Sequence, residues 1–284
     1  MRITLLGTGG PRPDPTRQGP ATLVQAAGLN LVFDAGRGVA TQLAAAGVTT
    51  DAIDAIFITH HHFDHIGGLG DLIMAAWNLG QRESLPIYGP PGTSEIITTL
   101  LEGVYWRDIN YRIVEERALD LVVEPPGAMV EVCEQMTGSI QLSNDVQVLV
   151  GPVEHGGAAL RLAVEQWATV GYRILADDKS VAISGDAVPG SGLNALAERA
   201  DVLVMCAYLA ATEIESAEQR FLVEHIIAGA PQAAYAAREA QVERLVLTHI
   251  REKSADLVAR MCVEIGEMFD GEVIAGSDLL QIEV

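Results

Sequence analysis

Positive charge is scarce in this chain. Eighteen Lys and Arg stand against 38 Asp and Glu, giving a formal net charge of −20 over 284 residues. A protein that tracks a phosphate backbone needs basic clusters to displace counterions, and the sequence shows none. The expectation from charge is a small-molecule substrate and no long nucleic acid as partner. Cysteine is scarce too. Cys133, Cys206 and Cys262 are isolated and odd in number, which speaks against a disulfide framework or a CxxC site. Aromatic residues make up 5%, so the core must rest on Ala, Val, Leu and Ile. No apolar run approaches the roughly 20 residues that span a bilayer. Met1 to Gly7 lead directly into strand-like sequence, without the apolar stretch and cleavage site of a signal peptide. These absences lead us to expect a cytoplasmic protein with no membrane partner.

Hydrophobic residues, at 49%, and 28 Gly with 12 Pro supply a core and many tight turns. Strand patterns are predicted at residues 2–6, 21–25, 30–34, 55–59, 146–150, 172–175, 181–184, 202–205, 245–248 and 272–274. Helical patterns fall between them at 38–47, 69–79, 93–102, 193–200, 215–228, 231–240 and 254–269. Such mixing predicts layered α/β structure. No repeat or long linker interrupts it, so residues 1–284 are expected to form one domain. Residues 103–138, with Pro125-Pro126-Gly127 at their middle, are the least regular. They are expected to be a surface excursion or a subunit contact, ahead of a lid.

Four of the seven histidines lie in the run His60-His61-His62-Phe63-Asp64-His65, between an apolar strand and a helical pattern. Side chains two apart on an extended segment point the same way, so His60 and His62 can converge on one ion while His61 points away. Asp64 and His65 project differently and can serve a second ion. Imidazole and carboxylate together suit zinc, manganese or iron. The stretch Gly7–Gly10 reads as a tight turn, because it has neither GxGxxG spacing nor a Lys-Ser/Thr ending.

Thr59-His60-X-His62-X-Asp64-His65 resembles the HxHxDH signature of the metallo-β-lactamase superfamily. Leu5-Leu6-Gly7-Thr8-Gly9-Gly10, Leu31-Val32-Phe33-Asp34-Ala35-Gly36 and Tyr88-Gly89-Pro90-Pro91-Gly92 are similar to the branch holding ribonuclease Z and arylsulfatase-like proteins. The resemblance implies a four-layer αββα sandwich with two mixed β-sheets and metal ligands on loops at one edge. It adds three ligands: His155 in Gly151-Pro152-Val153-Glu154-His155-Gly156, Asp186 in Ser184-Gly185-Asp186, and His249 after Leu245-Val246-Leu247-Thr248. His60, His62 and His155 would hold one divalent ion, Asp64, His65 and His249 the other, with Asp186 bridging. Zinc is the first expectation for both, with manganese or iron as alternatives. The implied enzyme is a hydrolase whose hydroxide, held between two metals, attacks an ester-type bond. Asp64 would also orient that hydroxide or take its proton, and His225 would protonate the leaving group. Asp34 either hydrogen-bonds the metal loop or caps a turn. Arg82 either meets an anionic group or is structural. Phe63, Trp77, Tyr105, Trp106 and Tyr208 either line an apolar pocket or pack.

Three departures shape the expected substrate. Where ribonuclease Z carries His-Glu-Ala-Thr, this chain reads Met205-Cys206-Ala207-Tyr208. A later His-Ser-Thr would fall near Ile227-Ala228-Gly229, without its histidine unless His225 substitutes. The long arm before the bridging aspartate is reduced to the 30 residues between His155 and Asp186. With the acidic charge, these features favour a small-molecule carboxylic ester or lactone, phosphodiester or sulfate ester. An iron-dependent oxidoreductase on the same fold is the alternative, and transfer-RNA 3′ processing ranks last. By analogy with the branch, a homodimer through residues 103–138 is one option.

Overall fold

Each strand has two sides to cover, and its alternation assigns them. The structure is a computed structural model that describes residues 1–80 and 84–284, so Arg82 lies outside the described residues. Among these, fourteen strands form: β1 (Arg2–Gly7), β2 (Ala21–Ala26), β3 (Leu29–Phe33), β4 (Ala55–Phe57), β5 (Leu85–Gly89), β6 (Val130–Glu134), β7 (Gly138–Gln141), β8 (Gln147–Pro152), β9 (Val170–Ala176), β10 (Lys179–Ile183), β11 (Val202–Cys206), β12 (Arg244–Thr248), β13 (Glu272–Ala275) and β14 (Gln281–Glu283). One sheet runs β14-β1-β2-β3-β4-β5-β6 and the other β13-β12-β11-β10-β9-β8-β7. Both are mixed. β3 to β6 are parallel, as are β10 to β13, while the remaining pairings are antiparallel.

Strand β11 shows how the layers arise. All five of its residues are buried, as a parallel strand covered on both faces requires. Val202 and Val204 enter the core between the sheets, while Leu203 and Met205 face the outer helices. β4 does the same, with Phe57 inward and Ile56 outward. The outer face of the first sheet is covered by helices Val39–Ala45, Leu69–Leu79, Thr93–Thr98 and Trp106–Ala118. The second is covered by Ser191–Ala197, Ala230–Glu239 and Ala255–Gly266. The result is the αββα sandwich. Among the described residues no helix is long and apolar enough to cross a membrane.

Four aromatic residues, Phe33, Phe57, Tyr88 and Tyr172, meet between the sheets. Phe57 stacks on Phe33 at 4.7 Å and on Tyr88 at 5.0 Å, and Tyr172 meets it edge-on at 5.3 Å. The Tyr172 hydroxyl donates to the Ile58 carbonyl at 2.8 Å, so one bond across the core fixes the strand end that leads to His60.

Residues 103–138 are more regular than their sequence suggests. They contain the helix Trp106–Ala118, strand β6 and the start of β7. That helix buries only Ile109 and Glu116, so it carries no periodic apolar stripe to read. β6 is an edge strand with no buried residue, which removes the alternation that identifies its neighbours.

The aromatic cluster sets a stability expectation. Phe57→Ala should cost about 3–5 kcal/mol, because the interlocked neighbours cannot collapse into the space left. Urea unfolding at fixed metal concentration measures it, as a lowered midpoint with an unchanged slope.

Candidate metal centre

The parallel strands deliver their C-terminal ends to one edge of the sandwich, where ligands of open α/β sheets gather. Asp34 follows β3, and Thr59 and His60 follow β4. Asp186, Tyr208 and His249 follow β10, β11 and β12, and His155 follows β8. Side chains up to 215 positions apart, from Asp34 to His249, thus meet across the gap between the sheets.

Two groups form that could hold metal ions: His60, His62, His155 and Asp186, and Asp64, His65 and His249. In the first, His62 Nδ1 lies 3.0 Å from His60 Nε2 and 3.1 Å from His155 Nε2. In the second, His249 Nε2 lies 3.2 Å from Asp64 Oδ2. Asp186 reaches both groups. Its Oδ2 is 3.1 Å from His249 Nε2 and 4.0 Å from His60 Nε2, and its Oδ1 is 3.3 Å from His65 Nε2. All of these side chains are buried except His62, which is partly exposed.

Outer partners fix the tautomers. Asp34 accepts from the Thr59 backbone N–H at 2.8 Å, the Thr59 hydroxyl at 2.9 Å and His65 Nδ1 at 2.8 Å. With its own proton given to Asp34, Thr59 Oγ1 can only accept from His60 Nδ1, 2.9 Å away. His155 Nδ1 donates to the Ile226 carbonyl. Each of these three rings, when neutral, therefore turns an Nε2 lone pair inward. One proton between neighbours cannot satisfy three converging nitrogens, whereas a cation can. Donors held ~2.0–2.1 Å from a tetrahedral ion stand about 3.3–3.4 Å from one another, a few tenths beyond the spacing here. His65 Nε2 and Asp186 Oδ1 are buried without a hydrogen-bond partner. The donor set fits metal.

Electrostatics agree. Burial, aided by His65, lowers His60 well below the ordinary histidine value. Burial and His155 lower His62 to about 4, and burial lowers His155. These rings are neutral, as metal-ligating imidazoles must be. In the second group burial would also lower His65 and His249, but Asp186 together with Asp34 at His65, and Asp186 together with Asp64 at His249, outweighs it. His65 is raised well above the ordinary value and His249 to about 9. For Asp186, burial would raise the carboxyl, yet His249 and His65 hold it well below the carboxylate range. Protons on His65 and His249 thus occupy the place a cation would take.

Close approaches need glycine. A Cβ on Gly10 would lie 2.7 Å from the His249 ring, and one on Gly185, at φ +59°, 2.9 Å from Thr59. The turn after β1 is therefore packed against a candidate ligand. Trp167, not expected from the sequence, donates from Nε1 to the His155 carbonyl at 2.9 Å and lies 4.5 Å from the His62 ring. It and the Ile226 carbonyl left no local motif.

A cavity of 250 Å³ opens on the cluster, lined by Pro11, Phe63, Tyr208, Leu222, Ile226 and Ile227 besides the ligands. Phe63 and Tyr208 thus line it. Trp77 is buried, with Nε1 donating to the Glu124 carbonyl, Tyr105 packs over Gly70, and Trp106 lines a separate cleft with Ile97 and Leu101. His61 faces away, 2.9 Å from Thr93 Oγ1. His225 is not among the lining residues; its exposed ring lies 4.9 Å from Phe221.

Two outcomes follow for metal binding. Asp34→Ala should weaken it 10–100-fold, as loss of an outer partner does, measured by competition with a chelator. His65 and His249 must each shed a proton to bind, so affinity should rise with pH up to at least about 9. Chelator competition across that range, with proton release followed in weak buffer, tests the sign.

The Beta-lactamase superfamily domain model matches residues 29–250. Ribonuclease Z of Mycobacterium sp. (strain KMS) is 38% identical over 293 residues, covering 100% of this chain and 96% of that protein. The metallo-beta-lactamase fold protein YhfI from Bacillus subtilis has a TM-score of 0.74 at 19% identity, over 100% of this chain and 98% of that one. Human tRNase Z, short form, has a TM-score of 0.71 at 24% identity, over 100% and 99%. The ribonuclease relatives overturn the expectation of a small-molecule ester substrate and of no nucleic acid as partner. The iron oxidoreductase alternative and the low rank of transfer-RNA processing fall with it. The physical reasons are plain. Net charge sums the whole surface, while a substrate senses charges within about 10 Å. The match to the mycobacterial enzyme is only nine positions longer than the 284-residue chain, so a protein named Ribonuclease Z need carry no long arm. The chain is a hydrolase that belongs to the metallo-β-lactamase superfamily, in the branch of Ribonuclease Z.

Proposed function

We propose that this protein is a ribonuclease of the Ribonuclease Z kind, which hydrolyses a phosphodiester in precursor transfer RNA at the 3′ side. The full-length identity of 38% to an enzyme of that name carries the proposal. In this reading residues 1–284 act as one domain, supported by the pairing of first and last strands. His60, His62 and His155 hold one divalent ion, Asp64, His65 and His249 the other, and Asp186 is shared. Zinc is the proposed metal at both positions, since imidazole and carboxylate donors suit it. When bound, two such ions lower the pKa of a water and offset the charge of a phosphodiester.

The chain's own residues do the rest. Asp64 faces the cavity and is held 3.2 Å from His249, so it can orient the attacking water and receive its proton. Local charge supports an anionic substrate. The loops at 8–20, 35–38 and 249–254 carry Arg12, Arg17, Arg37, Arg251 and Lys253 against Asp14 and Glu252. Arg17 and Arg37 are tied to backbone carbonyls, and Lys253 to Glu213. Arg12 and Arg251 make no ion pair among the described residues, and in this reading they meet phosphate. A cytoplasmic location accords with three unpaired cysteines. A homodimer accords with the exposed Val104, Tyr111, Val114 and Val122.

Incubation of the zinc-loaded protein with a precursor transfer RNA tests the proposal. We expect one endonucleolytic cut near the 3′ end of the mature sequence, abolished by a chelator and restored by metal. Absence of any cut by protein with a filled site would overturn it.

A further inference from the structure

The reaction needs a proton for its leaving oxygen, and the expected donor lies outside the cavity. His225 turns its ring toward Phe221. Of the cavity-lining side chains outside the two ligand groups, Pro11, Phe63, Leu222, Ile226 and Ile227 have no proton to give. Tyr208 alone does.

Its placement is rigid. Tyr208 leaves the C-terminal end of β11, which pairs in parallel with β10 and β12, the strands that lead to Asp186 and His249. The backbone is pinned on both sides. Ala207 N–H donates to the Thr248 carbonyl at 2.9 Å, Tyr208 N–H to the Ala228 carbonyl at 2.9 Å, and the Leu209 carbonyl accepts from Ala230 at 2.7 Å. The ring is half-buried and lies 5.9 Å from the His249 ring. Its hydroxyl has no hydrogen-bond partner among the described residues, so the phenol proton is available to a group entering the cavity.

Resting on the phosphodiester reading, we infer that Tyr208 is the catalytic acid that protonates the departing ribose oxygen. The water oxygen forms its bond to phosphorus as the bond from phosphorus to the ribose oxygen breaks. The Tyr208 Oη–H proton passes to that oxygen, and the phenolate regains a proton from solvent when product leaves. A phenol is a stronger acid than a ribose hydroxyl, so the transfer is favourable. Such an acid contributes about 10²–10⁴ in rate.

Tyr208→Phe removes the hydroxyl and keeps the ring. We expect the variant to cleave precursor RNA about 10²-fold more slowly. It should hydrolyse bis(4-nitrophenyl) phosphate, whose leaving group departs without a proton, within about threefold of the parent. Across a series of aryl and alkyl phosphodiesters, its rate should depend more steeply on leaving-group acidity. Affinity of the metal-depleted variant for the same RNA, and chelator-measured zinc affinity, should stay unchanged. Equal losses on all substrates, or no loss on any, would overturn the inference. So would a matching leaving-group dependence in His225→Ala but not in Tyr208→Phe. If the parent cleaves the synthetic series but not RNA, the RNA reading fails, while the slope of that series still decides Tyr208. If the parent cleaves no diester at all, both fail.

Discussion

The Asp34 carboxylate is the point on which the site depends. It stands at the end of β3, beside the parallel end of β4, and takes three hydrogen bonds there. Through His65 it acts on one metal group, and through Thr59 and His60 on the other. Asp34 adopts φ 59° and His249 φ 50°, conformations that cost non-glycine residues of order 1–3 kcal/mol each. The surrounding strands and the close packing of Gly10 hold them. A cluster of buried imidazoles that repel one another when charged is stable only within such a frame. The frame comes from the scaffold, and the cation completes it.

Charge operates at two ranges in this molecule. The total of −20 is spread over an acidic surface, where solvent and salt screen it. Inside the site three carboxylates, Asp34, Asp64 and Asp186, lie within a few ångströms of the histidines and set their protonation. The loops at 8–20, 35–38 and 249–254 carry more basic than acidic residues. A strongly acidic protein can therefore carry locally basic loops, which its total charge does not report.

The outer layers follow simpler rules. Where strands are covered on both faces, as in β11 and β12, their apolar runs mark them in the sequence. Where an element contacts the body on one narrow side, as helix Trp106–Ala118 and edge strand β6 do, few buried positions remain to mark it. The fold class and its central strands were legible for the first reason, and residues 103–138 were not for the second.

The seven converging ligand candidates could be read in one dimension because each ends a strand or sits in one dense motif, where loop position and residue type travel together. Who shares the cavity with them could not. A helix turns by about 100° per residue, so whether His225 or Ile226 faces the site depends on how Ala217–His225 docks against the sheet edge. Tyr208 entered the cavity because β11 lies between the strands leading to Asp186 and His249, a matter of strand order rather than of local pattern. Local chemistry names the donors. Packing across long sequence separation decides their neighbours, because strand pairing and helix docking fix directions that no short segment encodes.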